Sequence, residues 1–250
     1  MDNAAEDAWS AVAGEWAELW GDFADPARHE IIGATGIRGG SHVLDVGCGS
    51  GEFLAMLDAA GAVPSGVDPA RRMVERARSL VPAADIRQGS AESLPWPDRS
   101  FDVVTAVNAL QFADDTDAAL AELIRVTVPG GRVAVAGWAE GERNDLHVIE
   151  SAVAASFGED PPPDGELRTP GGLEGLLRDA GLDLLASGLV NLHWEAADDD
   201  ELVRGVLLGE DADGLAAGAS TVIEAAQPFR TASGGYRLRN AFRFAVATRA

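Results

Sequence analysis

The sequence predicts an α/β fold in which parallel strands alternate with helices. Three stretches carry that prediction. Val43 to Val46 is a short apolar run that ends in Gly47, Gly49 and Gly51, and a helix-like stretch, Glu52 to Ala60, follows at once. Val63 to Val67 repeats the pattern after Gly61, with Asp68 at the strand's tip. Phe101 to Val107 is apolar enough for a central strand covered on both faces.

Residues 4 to 23 read as a helix carrying Trp9, Val12, Trp16, Leu19, Trp20 and then Phe23 at helical spacing. That stripe either packs on the core or forms a lid over a binding site; Trp20 is the expected contact in the second case. Asp25-Pro26 opens a second helix to about Thr35. Glycines at 47, 49 and 51 allow a sharp turn and close approach of backbone to a ligand. The helix after them starts with free N–H groups that suit polar or anionic ligand atoms. Asp68 is placed either to accept hydrogen bonds from ribose hydroxyls or to cap the helix that Pro69 begins.

Pro69 to Leu80 is amphipathic, with Met73, Ala77 and Leu80 expected inward. Ala84 to Arg87 is the third strand, and Pro97 to Ser100 turns into the fourth. Asn108 to Phe112 leaves that strand at its carboxyl end, where ligands of open α/β sheets bind. A helix is expected over Asp114 to Val128 and the fifth strand over Arg132 to Trp138, with Trp138 as a pocket wall. Arg143 to His147 opens the next helix, which runs to Phe157. Leu173 to Ala180 is a short helix after a Pro- and Gly-rich loop. Leu182 to Trp194 is the sixth strand, and helices follow from Asp198 to Leu208 and from Asp213 to Ala226. The acids at 198–201 suit a helix start. Asn240 to Thr248 is the last strand; Arg230 and Tyr236 are possible substrate contacts.

Composition excludes several functions. The chain has 250 residues, one cysteine and a net charge of −22. That charge opposes binding to nucleic-acid phosphates. All 19 basic residues are arginine, so a P-loop lysine and a Schiff-base lysine are both excluded. No apolar run reaches a membrane span. One cysteine leaves no internal disulfide, and the expected compartment is the cytoplasm.

The stretches VLDVGCGSG (43–51), GVDPA (66–70), GSAESLPWPDRSFDVVTAVNALQF (89–112) and VPGGRVAV (128–135) resemble class I S-adenosylmethionine-dependent methyltransferases. The likeness is to the small-molecule branch with the type 11 domain of quinone-biosynthesis methyltransferases. The glycine spacing, with Glu52 after Gly51, departs from the G-x-G-x-x-G of nicotinamide enzymes. The resemblance implies a Rossmann-like, seven-stranded sheet in the order 3-2-1-4-5-7-6, its last strand antiparallel, with helices on both faces and a helical lid. One domain spans 1–250 on this reading: a lid at 1–40, a cofactor-binding core at 41–138 and a substrate-side half at 139–250.

The cofactor implied is S-adenosylmethionine, leaving as S-adenosylhomocysteine. Its candidate residues are Asp45, Gly47, Cys48, Gly49 and Gly51 in the turn, then Asp68, Pro69 and Met73. Ser90, Ala91 and Glu92 follow on the adenine side, Asn108, Ala109 and Gln111 after the fourth strand, and Trp20 in the lid. Ser90 stands where the family usually has Asp, and Gln111 near where it often has His. Asp45 and Met73 are equally accounted for by structure alone, Glu92 by solvation and Cys48 by its small size. His147 is the candidate base. The expected reaction is methyl transfer to an O, N or C nucleophile of a small molecule, with no metal. A non-methylating reaction on the bound cofactor, or cofactor binding without catalysis, is the alternative.

Overall fold

Apolar residues on both sides of the central strands require cover on both faces, and the helices supply it. The computed structural model describes residues 3–161 and 163–250. In chain order the elements are α1 (Asn3–Leu19), α2 (Asp25–Thr35), β1 (His42–Val46), α3 (Glu52–Ala59), β2 (Val63–Asp68), α4 (Arg71–Leu80), β3 (Asp85–Gln88) and β4 (Phe101–Val107). Then come α5 (Thr116–Val126), β5 (Thr127–Trp138), α6 (Asp145–Ser156), α7 (Gly172–Asp179), β6 (Asp183–Ala196), α8 (Asp199–Val206), α9 (Ala212–Ala226) and β7 (Tyr236–Thr248). The strands form one sheet in the order β3-β2-β1-β4-β5-β7-β6. β1 to β5 run parallel, and β7 lies antiparallel between β5 and β6. The order implied by the resemblance is the order found.

Successive strand residues point to opposite faces. Val43, Val103 and Ala134 join one core, with Ile31, Phe53, Leu57, Leu202 and Val222 from the helices. Leu44, Val104 and Val133 join the other, with Leu120, Leu123, Leu173 and Leu177. The doubly buried strands therefore read as continuous apolar runs.

Element boundaries differ from the sequence reading at α4, β5 and β7 among others. α4 starts at Arg71 with Ala70 as its N-cap, not at Pro69. Leu80, expected inward, is the last residue of α4 and 52% exposed, while Met73, Val74 and Ala77 carry the buried face. β5 begins at Thr127 and β7 at Tyr236, both earlier than expected. Cross-strand pairing from Ala196↔Tyr236 onward extends β7 through Arg237 and Arg239, whose charges hid the strand. The acids at 198–201 behave as the helix start they resemble: the Asp198 carboxylate accepts from the Glu201 N–H at 2.9 Å.

Past the end of β5, Glu140 pairs with Arg243 on β7 through bonds of 2.7 to 3.0 Å, and both side chains are about nine-tenths buried. Burial alone would raise the Glu140 carboxyl, but hydrogen bonds from Arg143 and Arg243 outweigh it and hold it at about 2. Breaking such a pair strands a buried charge. Arg243→Ala is expected to cost about 3 kcal/mol in urea unfolding, and Glu140→Gln with Arg243→Met to recover most of it. A loss below about 0.5 kcal/mol would show that the pair is effectively solvated.

Candidate functional site

The turn after β1 is held in shape by the residues around it. Gly47 and Gly51 have φ of +73° and +100°, which a side chain strains to adopt. A Cβ on Gly47 would lie 2.4 Å from Ala109 Cβ, and one on Gly51 2.8 Å from Ala77 Cα in α4. Gly47 and Cys48 both donate to the Val67 carbonyl, at 2.8 and 3.0 Å, and Gly51 donates to Cys48. Gly49 donates to Asp68 Oδ2 at 2.9 Å. The N–H groups at 47, 48, 49 and 51 are thus spent inside the chain.

Asp68 is not the cap of α4. Its other oxygen accepts from the Ala70 N–H at 2.9 Å, so the carboxylate ties the glycine loop to the start of α4. Burial outweighs those two bonds and pushes its carboxyl up to about 6. Asp45, 3% exposed, accepts from Thr105 Oγ1 at 2.7 Å. Burial again dominates and pushes it up to about 7, with Thr105 and Arg28 pulling the other way.

A cleft of about 850 Å³ opens at the carboxyl ends of β1, β2 and β4. Asp45, Glu52 and Asp68 give it three carboxylates, and Arg28 gives it a cation. Arg28 Nη1 donates to Gly21 and Asp25, both at 2.7 Å, while its buried Nε has no partner. The remaining walls are Trp9, Trp16, Trp20, Phe23 and Phe112, with Met73, Val107, Asn108 and Ala109. Trp9 and Trp16 meet edge to face at 5.2 Å, and Trp20 stacks on Trp194 at 4.5 Å. The Trp20 indole N–H donates to the Gly205 carbonyl at 3.1 Å, and that of Trp194 to Leu19 at 2.7 Å. The tryptophan stripe is therefore both things the sequence allowed: it packs on the core and it walls the cleft.

Residues 44–135 match the family model described as a methyltransferase domain, of type 11. Over residues 44–135 the chain carries a methyltransferase domain. The domain's cofactor is S-adenosylmethionine. The chain is 38% identical over 130 residues to the demethylmenaquinone methyltransferase of Symbiobacterium thermophilum, covering 48% of each chain. It is 42% identical over 96 residues to the malonyl-[acyl-carrier protein] O-methyltransferase of Erwinia billingiae, covering 38% of each. The chain spans about half the length of the curated relatives it matches, or less. A solved structure of a putative methyltransferase from Bacillus halodurans superposes with a TM-score of 0.62 at 19% identity, covering 88% of this chain and 97% of that one; it shares the fold.

In the methyltransferase domain the cleft gathers most of the residues singled out from sequence. Trp20, Asp45, Gly47, Cys48, Gly49, Asp68, Pro69, Met73, Asn108 and Ala109 line it. Six others do not. Gly51 sits behind the loop against Ala77. Gln111 donates to Asn108 Oδ1 at 2.6 Å, one layer out. Ser90 and Glu92 bond each other, and Glu92 also accepts from the Asp114 N–H at 2.9 Å. Burial opposes ionisation of Glu92, but those bonds prevail and lower it. Ala91 packs toward the opposite core. His147 lies in a separate recess with Glu150 and Arg168, and so does Trp138. Tyr236 and Arg230 face Asp199 rather than the cleft: the Tyr236 hydroxyl donates to it at 2.6 Å.

Arg28 and Glu52 were missed. Arg28 sits in a helix whose pattern reads as ordinary surface, and nothing local marks it. Glu52 had a signal, since it is the first residue after the third glycine. Among the described residues lining the cleft there is no histidine, lysine or tyrosine.

Proposed function

We propose that this chain transfers the methyl group of S-adenosylmethionine to an oxygen, nitrogen or carbon nucleophile of a small molecule. The supporting observation is a cleft with three carboxylates beside a glycine loop whose N–H groups at 47, 48, 49 and 51 are internally bonded. Such a site suits a cationic, hydroxyl-bearing ligand and not a pyrophosphate, which wants free backbone N–H groups. When bound, the cofactor supplies an electrophilic methyl group on a positively charged sulfur.

The chain's own residues do the positioning. Asp68 uses one lone pair of each oxygen on backbone, which leaves acceptor capacity for ribose hydroxyls. Asp45 and Glu52 offer negative charge to the cationic end, and Arg28 offers positive charge to a carboxylate. Met73 and the lid indoles supply flat apolar surface and exclude water. Holding the reactants in line can contribute roughly 7–11 kcal/mol. With no histidine, lysine or tyrosine among the described residues lining the cleft, the side chains there able to take a proton from the acceptor are the carboxylates of Asp45, Glu52 and Asp68. The proposal takes residues 1–40 as lid, 41–138 as cofactor core and 139–250 as the acceptor side. It places the enzyme in the cytoplasm, where a single-cysteine chain needs no oxidised bridge. No helix among the described residues is long and apolar enough to cross a membrane.

The test is mass spectrometry of small acceptors after incubation with protein and S-adenosylmethionine. A product heavier by one CH₂, with S-adenosylhomocysteine formed in equal amount, is expected. A converted product of unchanged mass would replace methyl transfer by a rearrangement or cyclisation.

A further inference from the structure

The cleft has a neighbour. Phe23, on its wall, stacks on Trp138 with ring centroids 5.1 Å apart. Trp138 in turn lines a small recess of about 270 Å³ with Asn144, Leu146, His147, Glu150 and Arg168. One aromatic pair therefore separates the two spaces, and Phe242 packs edge-on against both rings, 5.7 Å from Phe23 and 5.1 Å from Trp138.

Hydrogen-bond donors gather at this recess with little to bond. Arg168 Nε donates to the Ala139 carbonyl at 3.0 Å and faces Asp164 at 3.2 Å, but no hydrogen bond among the described residues uses its two terminal nitrogens. His147 Nε2 lies 3.5 Å from Ser151 Oγ, at the outer limit of a bond, with its ring held against Gly141. Behind the lining residue Leu146, whose N–H bonds its Oδ1 at 3.2 Å, Asn240 is 2% exposed and its Nδ2 has no partner; it supports the wall and is not itself one of the lining residues. A buried orphan amide calls for a partner. The acid present, Glu150, is pushed up by burial, with Arg168 and His147 pulling it down.

We propose that this recess is a second subsite for the methyl acceptor, taking a carbonyl or carboxylate oxygen at the end of the molecule remote from the methylated atom. The acceptor class is then a flat apolar body, held among Trp9, Trp16 and Phe112, joined to an oxygen acceptor that reaches past the Phe23–Trp138 pair. This rests on the methyltransferase reading of the cleft. It also reassigns His147: the residue recognises the acceptor and takes no proton from its nucleophile.

The test uses the whole chain saturated with S-adenosylhomocysteine and three matched probes: para-butylphenol, its terminal carboxylate analogue para-hydroxyphenylbutanoate, and the corresponding methyl ketone. Affinities come from calorimetry. The oxygen-bearing probes are expected to bind about tenfold tighter or better, as one charge-assisted hydrogen bond allows. In Arg168→Gln and in His147→Ala that ratio is expected to fall toward unity, each variant checked for folding by its far-UV spectrum; should one fail to fold, the other decides. A ratio near unity in the wild type, or one that survives in the folded variants, overturns the subsite and leaves the methyltransferase reading standing. Failure of S-adenosylhomocysteine to bind the wild type overturns that reading, and the subsite with it.

Discussion

Asp68→Ala is expected to lower affinity for S-adenosylhomocysteine at least a hundredfold, about 2.7 kcal/mol. The carboxylate bonds both the glycine loop, at Gly49, and the residue before α4, at Ala70. Charge-assisted bonds of this kind contribute about 1.5–3 kcal/mol each. Removing it frees two backbone N–H groups in the cleft wall and takes away the proposed ribose acceptor. The effect on stability should be smaller than the effect on binding, because the variant also sheds a buried carboxylate whose burial raises it to about 6. Asp68→Asn separates the two contributions: its amide oxygen satisfies one N–H and cannot satisfy both. Calorimetric titration of the three proteins decides the matter. Affinity of Asp68→Ala within about threefold of wild type would place the cofactor elsewhere.

Asp45→Asn should make the ligand-free protein more stable and a poorer binder. Burial raises the Asp45 carboxyl from 3.8 to about 7. A folded-state value above the unfolded one means that, between pH about 4 and 7, the folded chain holds a proton that the unfolded chain has released. Stability therefore falls as pH rises through that window, and above it the full cost of burying the charge is expressed. Three units correspond to about 4 kcal/mol as an upper figure. The asparagine keeps the shape and can still accept from Thr105 Oγ1, which now bonds Asp45 at 2.7 Å. Thermal unfolding at pH 8 is expected to rise by roughly 5–10 °C, the gap narrowing toward pH 4. Asp68 titrates in the same direction and stays in the variant, so the variant should still lose some stability between pH 4 and 6, and the wild type more because Asp45 adds its own loss. An unchanged or lower midpoint at pH 8 would mean that water reaches the Asp45 carboxylate. Stability retained at the expense of function is common where a charge is buried for a ligand.

The glycine turn was legible because its demand is local. Positive φ at Gly47 and Gly51 and the close approach of Ala109 and Ala77 leave room for no side chain, and the alternation of three glycines announces that. Asp68 was legible as an acid at a strand tip, but its double backbone tie was not, since Gly49 stands 19 residues away. Ser90 and Glu92 were expected beside the cofactor, and instead they bond each other and the start of α5. That outcome depends on how the β3–β4 connection meets α5, which no local pattern encodes.

By itself, the sequence determined the strand–turn–helix units, their succession along the chain, the apolar cover on both sheet faces and the acids Asp45 and Asp68 near the ends of β1 and β2. Each follows from short-range rules: φ at glycine, alternation along strands, 3.6-residue spacing along helices. Tertiary structure alone decided which side chains share a space. Arg28 reaches the cleft because α2 packs against the β6–β7 side of the sheet, and the indoles of α1 face it because Ala13 seats that helix on Ala70 and Met73. His147, one strand away by topology, falls behind Trp138 because a bulky ring at the end of β5 divides the floor in two. Pairings across 28 to 185 residues, such as Trp20 with Gly205 or Leu94 with Glu122, are set by the packing of whole elements, and only the folded chain brings them together.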